Sequence, residues 1–136
     1  MSSLIFDTHA HYDDKSFDED RAEVLNMLPQ SNVFAVVNAG ADIESSVKSI
    51  EISKEYDYVY ASVGIHPENI PDEKCDYISI LEDLLKNEKV VAIGEIGLDY
   101  HYTKDNKAKQ MELFENQINL AVNHNLPIMV HDREAH

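Results

Sequence analysis

Two histidines stand one residue apart in "FDTHAHYDD", where the apolar residues Leu4, Ile5 and Phe6 give way to acids. In an extended strand, residues two apart project to the same face. His9 and His11 therefore point together, with Asp7 on that face one step deeper. Two imidazoles on one face can present two nitrogens to a single cation, although an isolated His-x-His is equally a pair of hydrogen-bonded histidines at a strand edge. Glu95 lies in "AIGEIGLDY" with Gly94 and Gly97 around it. An ionisable group in so apolar a run is costly to bury unless it is paired or metal-bound, and glycine inside a strand often marks the close approach of a ligand or another backbone. The plainer alternative is a carboxylate facing solvent or paired with Lys or Arg. His131, between "LPIMV" and "DREAH", reads alone as a satisfied strand-end histidine. His66 in "GIHPEN", with Pro67 fixing the turn after it, suits a substrate contact better than a metal ligand. His101 and His124 read as surface residues, and His136 takes no role.

Five apolar runs can carry these side chains: residues 4–10, 33–40, 58–65, 90–98 and 127–131. Amphipathic stretches at 18–28, 43–56, 76–88 and 107–125 separate them. Such alternation predicts βα units on a parallel sheet, with right-handed crossovers. Strands that read as continuous Val, Ile and Ala runs are covered on both faces or closed into a barrel. In the last helix Met111, Phe114, Ile118, Ala121 and Val122 follow helical spacing and predict its buried face; Ile78, Leu81 and Leu85 do the same for the third.

The element order fits a doubly wound sheet or part of a (β/α)8 barrel, and the loops decide between them. A nucleotide-binding doubly wound fold would place a glycine-rich turn after strand 1, where this chain has "DTHAHYDD". A barrel places reactive side chains at the C-terminal ends of several strands. His9, His11, His66, Glu95 and His131 all fall there, which predicts an α/β, TIM-type (β/α) barrel, here a partial barrel of about five parallel strands and four helices. A mixed imidazole and carboxylate set suits Zn²⁺, Mn²⁺, Fe²⁺ or, with more carboxylate and water, Mg²⁺. Such ions acidify water and polarise phosphoryl or carbonyl oxygens.

Composition narrows the class. With 43% hydrophobic and 27% charged residues the chain reads as one globular domain over 1–136. The opening "MSSLIFD" lacks the charged head and apolar run of a secretory leader, and no run approaches the ~20 apolar residues of a membrane span. The single Cys75 suits a reducing cytoplasm. A net charge of −15 argues against a broad basic surface for nucleic acid, but bound cations can supply positive charge locally.

Read together, "IFDTHAHYD", "GIHP", "GEIGLDY" and "LPIMVHDREA" resemble the TatD family of metal-dependent deoxyribonucleases, a branch of the amidohydrolase-type barrels. The motifs occur in family order from residue 5 to residue 135, and "GEIGLDY" with the His-x-His start is the specific part. The resemblance implies a hydrolase of DNA phosphodiesters with two divalent metal ions, zinc, manganese or magnesium. It implies that His9 and His11 bind the first metal, that Glu95 bridges both as the catalytic carboxylate, and that His131 binds the second. It also implies that His66 and Arg133 contact the phosphate. The family pattern continues past residue 136 with a further histidine and an aspartate, so the chain is expected to be the N-terminal half of such a barrel. Another metallohydrolase or phosphoesterase chemistry on the same scaffold, or a non-catalytic metal-binding module, are the competing readings.

In an open sheet of order 1-2-3-4-5, the edge strands would stand roughly 19 Å apart at ~4.8 Å per spacing. His9 and His131 are then expected to meet only on barrel closure. Strands 1 and 5 would be bare edges, which predicts self-association through them if nothing else covers them.

Overall fold

The computed structural model describes residues 3–102 and 105–136. Met1 and Ser2 of the segment read for a leader therefore lie outside the described residues. Five strands, β1 (Ile5–Ala10), β2 (Val33–Ala39), β3 (Val59–Val63), β4 (Val90–Asp99) and β5 (Ile128–Arg133), alternate with four α-helices, α1 (Arg21–Met27), α2 (Ile43–Glu55), α3 (Tyr77–Leu84) and α4 (Lys107–Asn123). The strands form one sheet in the order β1-β2-β3-β4-β5. Every neighbouring pair is parallel, as the alternation of runs predicts. Among the described residues, no helix is long and apolar enough to cross a membrane.

Local chemistry sets the helix ends. The Asp42 side chain accepts the Ser45 N–H at 2.7 Å, and the Ser45 hydroxyl accepts the Asp42 N–H at 2.9 Å, a reciprocal cap that starts α2. At the far end of α4, Asn125 turns left-handed with φ 52°, and the Leu126 N–H returns to the Ala121 carbonyl at 2.9 Å.

The main core lies between the central strands and α2, α3 and α4, with Val63, Ile65, Leu81, Ile93, Ile96, Leu113 and Leu120 at its centre. A second cluster around Leu25, Val36 and Val59 seats α1 and β1. Helix α3 buries Leu81, with Ile78 and Leu85 half-buried beside it, as its spacing predicts.

Helix α4 meets the prediction only in part: Ala121 is buried and Phe114 and Ile118 pack half-buried against the core, but Met111 and Val122 do not. Its buried stripe is Gln110, Leu113, Gln117, Leu120 and Ala121. Val122 is 71% exposed and Met111 41%. The physical reason is that two glutamines serve as core residues by bonding backbone. Gln117 Oε1 accepts the Ile65 N–H at 2.7 Å while its Nε2 donates to the Ile65 carbonyl at 3.0 Å. Gln110 grips Asp99 in the same way. A periodicity count that scores only apolar residues rotates the face away from these two.

Candidate metal centre

Backbone contacts place Glu95 before its side chain makes any. The Ser62 hydroxyl on β3 donates to the Gly94 carbonyl at 2.9 Å. The Glu95 N–H donates to the Gly40 carbonyl, just past β2, at 2.7 Å. The side chain then enters the cleft at the mouth of the sheet, 10% exposed. Gly97 pairs with His131 across β4 and β5. The close approach that the glycines signalled is thus one of the neighbouring strand: a Cβ on Gly94 would fall 2.9 Å from the Met129 carbonyl oxygen.

Glu95 divides its two oxygens between the two edges of the sheet. Oε2 lies 3.2 Å from His9 Nε2 and 3.4 Å from His11 Nε2, and Oε1 lies 3.2 Å from His131 Nδ1. The expectation that His9 and His131 meet only on barrel closure is therefore corrected. These five strands already curl enough for side chains from β1 and β5 to reach one carboxylate on β4. An apolar hollow of about 480 Å³, lined by Phe6, Val37, Ala92, Ile128 and Met129, occupies the inside of the curl.

His11 stands just after β1, with Nδ1 3.1 Å from the Ala39 carbonyl. A proton on Nδ1 satisfies that contact and leaves Nε2 for the cleft, the way ligating imidazoles are commonly oriented. His9 Nε2 lies 3.1 Å from His11 Nε2. The turn after them is held by the buried Asn38 on β2, whose Oδ1 accepts the Tyr12 N–H at 2.6 Å and whose Nδ2 donates to Asp13 and Ser49, each at 2.8 Å. Asp7 does not join the cluster through any contact seen; its Oδ1 accepts the His9 N–H at 3.2 Å.

His66 follows β3 and caps a short 3-10 turn, Pro67–Asn69, its Nδ1 accepting the Glu68 N–H at 3.1 Å. Its ring packs edge-on against His131 with centroids 4.2 Å apart. His131 lies inside β5 rather than at its end, because the strand continues through Arg133. Arg133 is exposed and stays away from the carboxylate, its guanidinium 4.8 Å above the Tyr102 ring. His101 and His124 face surface acids, Glu134 at 2.8 Å and Glu82 at 3.5 Å.

The electrostatics follow from this packing. Burial opposes ionisation of Glu95, but the hydrogen bond from His11 and the fields of His9, His66 and His11 outweigh it and hold the carboxyl down at about 2. The same hydrogen bond is the main cause raising His11, against burial. Burial lowers His66, and the neighbouring His131 adds to that.

The donor set fits divalent cations. His9, His11 and Glu95 bring ligand atoms within 4.8 Å of one another, and so do His66, Glu95 and His131. Imidazole nitrogen with a shared carboxylate is the chemistry of zinc, manganese or iron, or of magnesium where more carboxylate and water complete the shell. Asp99, the last residue of β4, escaped the sequence reading although it is 1% exposed and its Oδ2 lies 2.9 Å from His131 Nε2. The signal available was an acid closing an apolar strand inside "GEIGLDY". For Gln110 and Gln117 it was two amides seven residues apart, on one helix face.

A curled parallel sheet backed by helices, with imidazoles and a carboxylate gathered toward the C-terminal ends of its strands, defines a (β/α)-barrel protein with the donor set of a metallohydrolase. Residues 6–136 match the family model described as TatD related DNase, and the chain belongs to that family. It is 42% identical over 132 residues to the uncharacterized metal-dependent hydrolase YabD of Bacillus subtilis, covering 97% of this chain and 52% of YabD. It is 30% identical to the 3'-5' ssDNA/RNA exonuclease TatD of Cronobacter sakazakii, covering 97% of this chain and 50% of that protein. The crystal structure of the TatD homologue YjjV from Escherichia coli superposes with a TM-score of 0.83 at 30% identity, over 96% of this chain and 51% of YjjV. A TatD family hydrolase from Entamoeba histolytica shares the fold with a TM-score of 0.88 at 24% identity. The chain spans about half the length of the curated relatives it matches.

Proposed function

We propose that the chain supplies the first half of a barrel whose metal centre hydrolyses phosphodiester bonds of DNA. The observation that carries the reading is the division of Glu95, with Oε2 beside His9 and His11 and Oε1 beside His131. A carboxylate so divided could serve two cations at once. His9 and His11 would hold the first, His131 the second, and Glu95 both. Bound there, divalent zinc, manganese or magnesium would supply Lewis acidity to a phosphoryl oxygen, lower the pKa of water in the cleft, and provide positive charge that a chain of net charge −15 lacks.

The remaining roles belong to the chain's own groups. His66 accepts the Glu68 N–H at Nδ1, so its neutral ring carries the proton on Nε2. It is thereby suited to donate to a substrate phosphate oxygen rather than to ligate. Arg133, at the rim, would serve as a bidentate phosphate partner once drawn from its seat over Tyr102. The name of the Cronobacter relative supports single-stranded nucleic acid as the substrate class. The half-length coverage of relatives supports the reading of residues 1–136 as one half of the barrel. The exposed apolar residues of the edge strands, Ile5, Phe6, Ile128 and Val130, support pairing with a second copy where no further strands cover them. The lone Cys75 suits a cytoplasmic setting.

Calorimetric titration with Zn²⁺ or Mn²⁺, run beside cleavage of 3'-labelled single-stranded DNA, tests the function. In the full-length protein, wild type is expected to bind metal and to cleave, and Glu95→Gln to lose both binding and turnover. Metal binding with no turnover would favour a non-catalytic metal-binding module, and undiminished binding in Glu95→Gln would remove the bridging role. Light scattering tests the pairing, which a compact monomer of 15.5 kDa would rule out.

A further inference from the structure

Asp99 is the most deeply enclosed carboxylate among the described residues, and the reading above gives it no task. Its Oδ1 accepts the His101 N–H at 3.0 Å, and its Oδ2 lies 2.9 Å from His131 Nε2. Burial opposes its ionisation, and the hydrogen bonds from His131 and His101 reverse that effect and lower its pKa. Its peptide group is clamped from α4: Gln110 Oε1 accepts the Asp99 N–H, and Gln110 Nε2 donates to the Asp99 carbonyl, both at 2.8 Å. Gln110 is itself fully buried and steadied by Asn106 Oδ1 at 2.9 Å. So much buried polar structure behind one imidazole needs a reason beyond filling space, because each such group costs free energy unless every bond is made.

We propose that Asp99 is a positioning residue for His131, keeping the ring proton on Nε2 so that Nδ1 is the nitrogen presented to Glu95 and the cation, with Gln110 fixing where Asp99 stands. This rests on His131 being a metal ligand, as proposed above. The two ring nitrogens face different carboxylates, Nδ1 toward Glu95 at 3.2 Å and Nε2 toward Asp99 at 2.9 Å. The cation belongs on the Nδ1 side, because Glu95 is the carboxylate grouped with the other candidate ligands, whereas Asp99 is not. A carboxylate behind a ligating imidazole sets its tautomer and orientation, and loss of such a partner typically weakens metal binding by about 10- to 100-fold.

Asp99→Asn separates orientation from packing. The amide oxygen must stay with the His101 N–H, which has to donate, so the NH₂ group faces His131 Nε2. That nitrogen must then accept, and the ring proton moves to Nδ1, where it blocks the cation.

The experiment is zinc titration by calorimetry of wild type, Asp99→Asn and His131→Ala, with nitrogen-15 NMR of the histidine rings in the zinc-loaded wild-type protein. The expected result is a proton retained on His131 Nε2 in the zinc-loaded wild type and zinc affinity about 10- to 100-fold weaker in Asp99→Asn, with an unchanged far-ultraviolet spectrum. A proton on Nδ1 in the zinc-loaded wild type, or wild-type affinity in Asp99→Asn while His131→Ala loses it, overturns the positioning role. Wild-type affinity in His131→Ala overturns the ligand reading itself and the proposal with it. A proton on Nδ1 in the zinc-loaded wild type overturns the proposal even if Asp99→Asn fails to fold.

Discussion

Gly97 lies so close to His131 that a Cβ at position 97 would fall 1.9 Å from the His131 carbonyl oxygen. Its φ of +148° is also one that side chains rarely adopt. Gly97→Ala therefore meets strain and overlap at once, and β4 and β5 must separate where the cluster is built. We expect a stability loss of at least about 3 kcal/mol in urea unfolding, together with weakened zinc binding as His131 moves. A variant as stable as wild type would show that the pairing of these strands is looser than the structure has it.

Gln117 holds the segment that leads into His66. Gln117→Leu keeps the volume but leaves the buried Ile65 N–H and carbonyl without the partners they have at 2.7 and 3.0 Å. The expected cost is about 2–4 kcal/mol, because stranded polar groups carry their full desolvation penalty. Chemical denaturation measures it, and a neutral outcome would mean that water replaces the amide.

Tyr58 ties α1 to the sheet through its hydroxyl, which donates to the Leu25 carbonyl at 2.5 Å. Burial first, then the neighbouring Tyr12 and Tyr56, push the phenol from 10.0 up to about 12. A raised pKa in the folded state contributes stability that is whole below pH 10.0 and is lost as pH rises through about 12. Tyr58→Phe is expected to cost about 1 kcal/mol at neutral pH. Its deficit relative to wild type should shrink as pH climbs through that window, which parallel unfolding curves at several alkaline pH values would reveal.

A ligand that binds only the folded chain stabilises it by mass action, by about 2.7 kcal/mol when present at 100 times its dissociation constant. Zinc should therefore raise the melting temperature of the wild-type protein in proportion to the logarithm of its concentration, and a chelator should reverse the rise. Glu95→Gln should melt at one temperature with or without zinc. A zinc-dependent shift of equal size in both would place the binding away from Glu95.

Much of the centre was legible in residue types and spacing. Alternating runs of Val and Ile with amphipathic stretches dictate parallel βα units, and the five strands and four helices fall within a few residues of where those runs lie. His9, His11, Glu95 and His131 announced themselves because imidazoles and an acid at the ends of apolar strands have few uses. The face of α4 was legible only in part, through Phe114, Ile118 and Ala121, since Gln110 and Gln117 look like solvent residues until the Asp99 and Ile65 backbones they bond are in place. Asp99 was hidden for the same reason, its partner His131 being 32 residues away.

What the sequence by itself determined is therefore local: which stretches extend, which coil, and which side chains carry donor atoms, all set by short-range sterics and side-chain periodicity. Only the tertiary structure decided which donors share an atom's reach. The curl of the sheet, which brings β1 and β5 to one carboxylate on β4, arises from packing between distant elements and from close backbone approach at Gly97. The His131 ring lies between Glu95 and Asp99 because two strands and a helix, α4, converge there, and no single segment encodes that convergence.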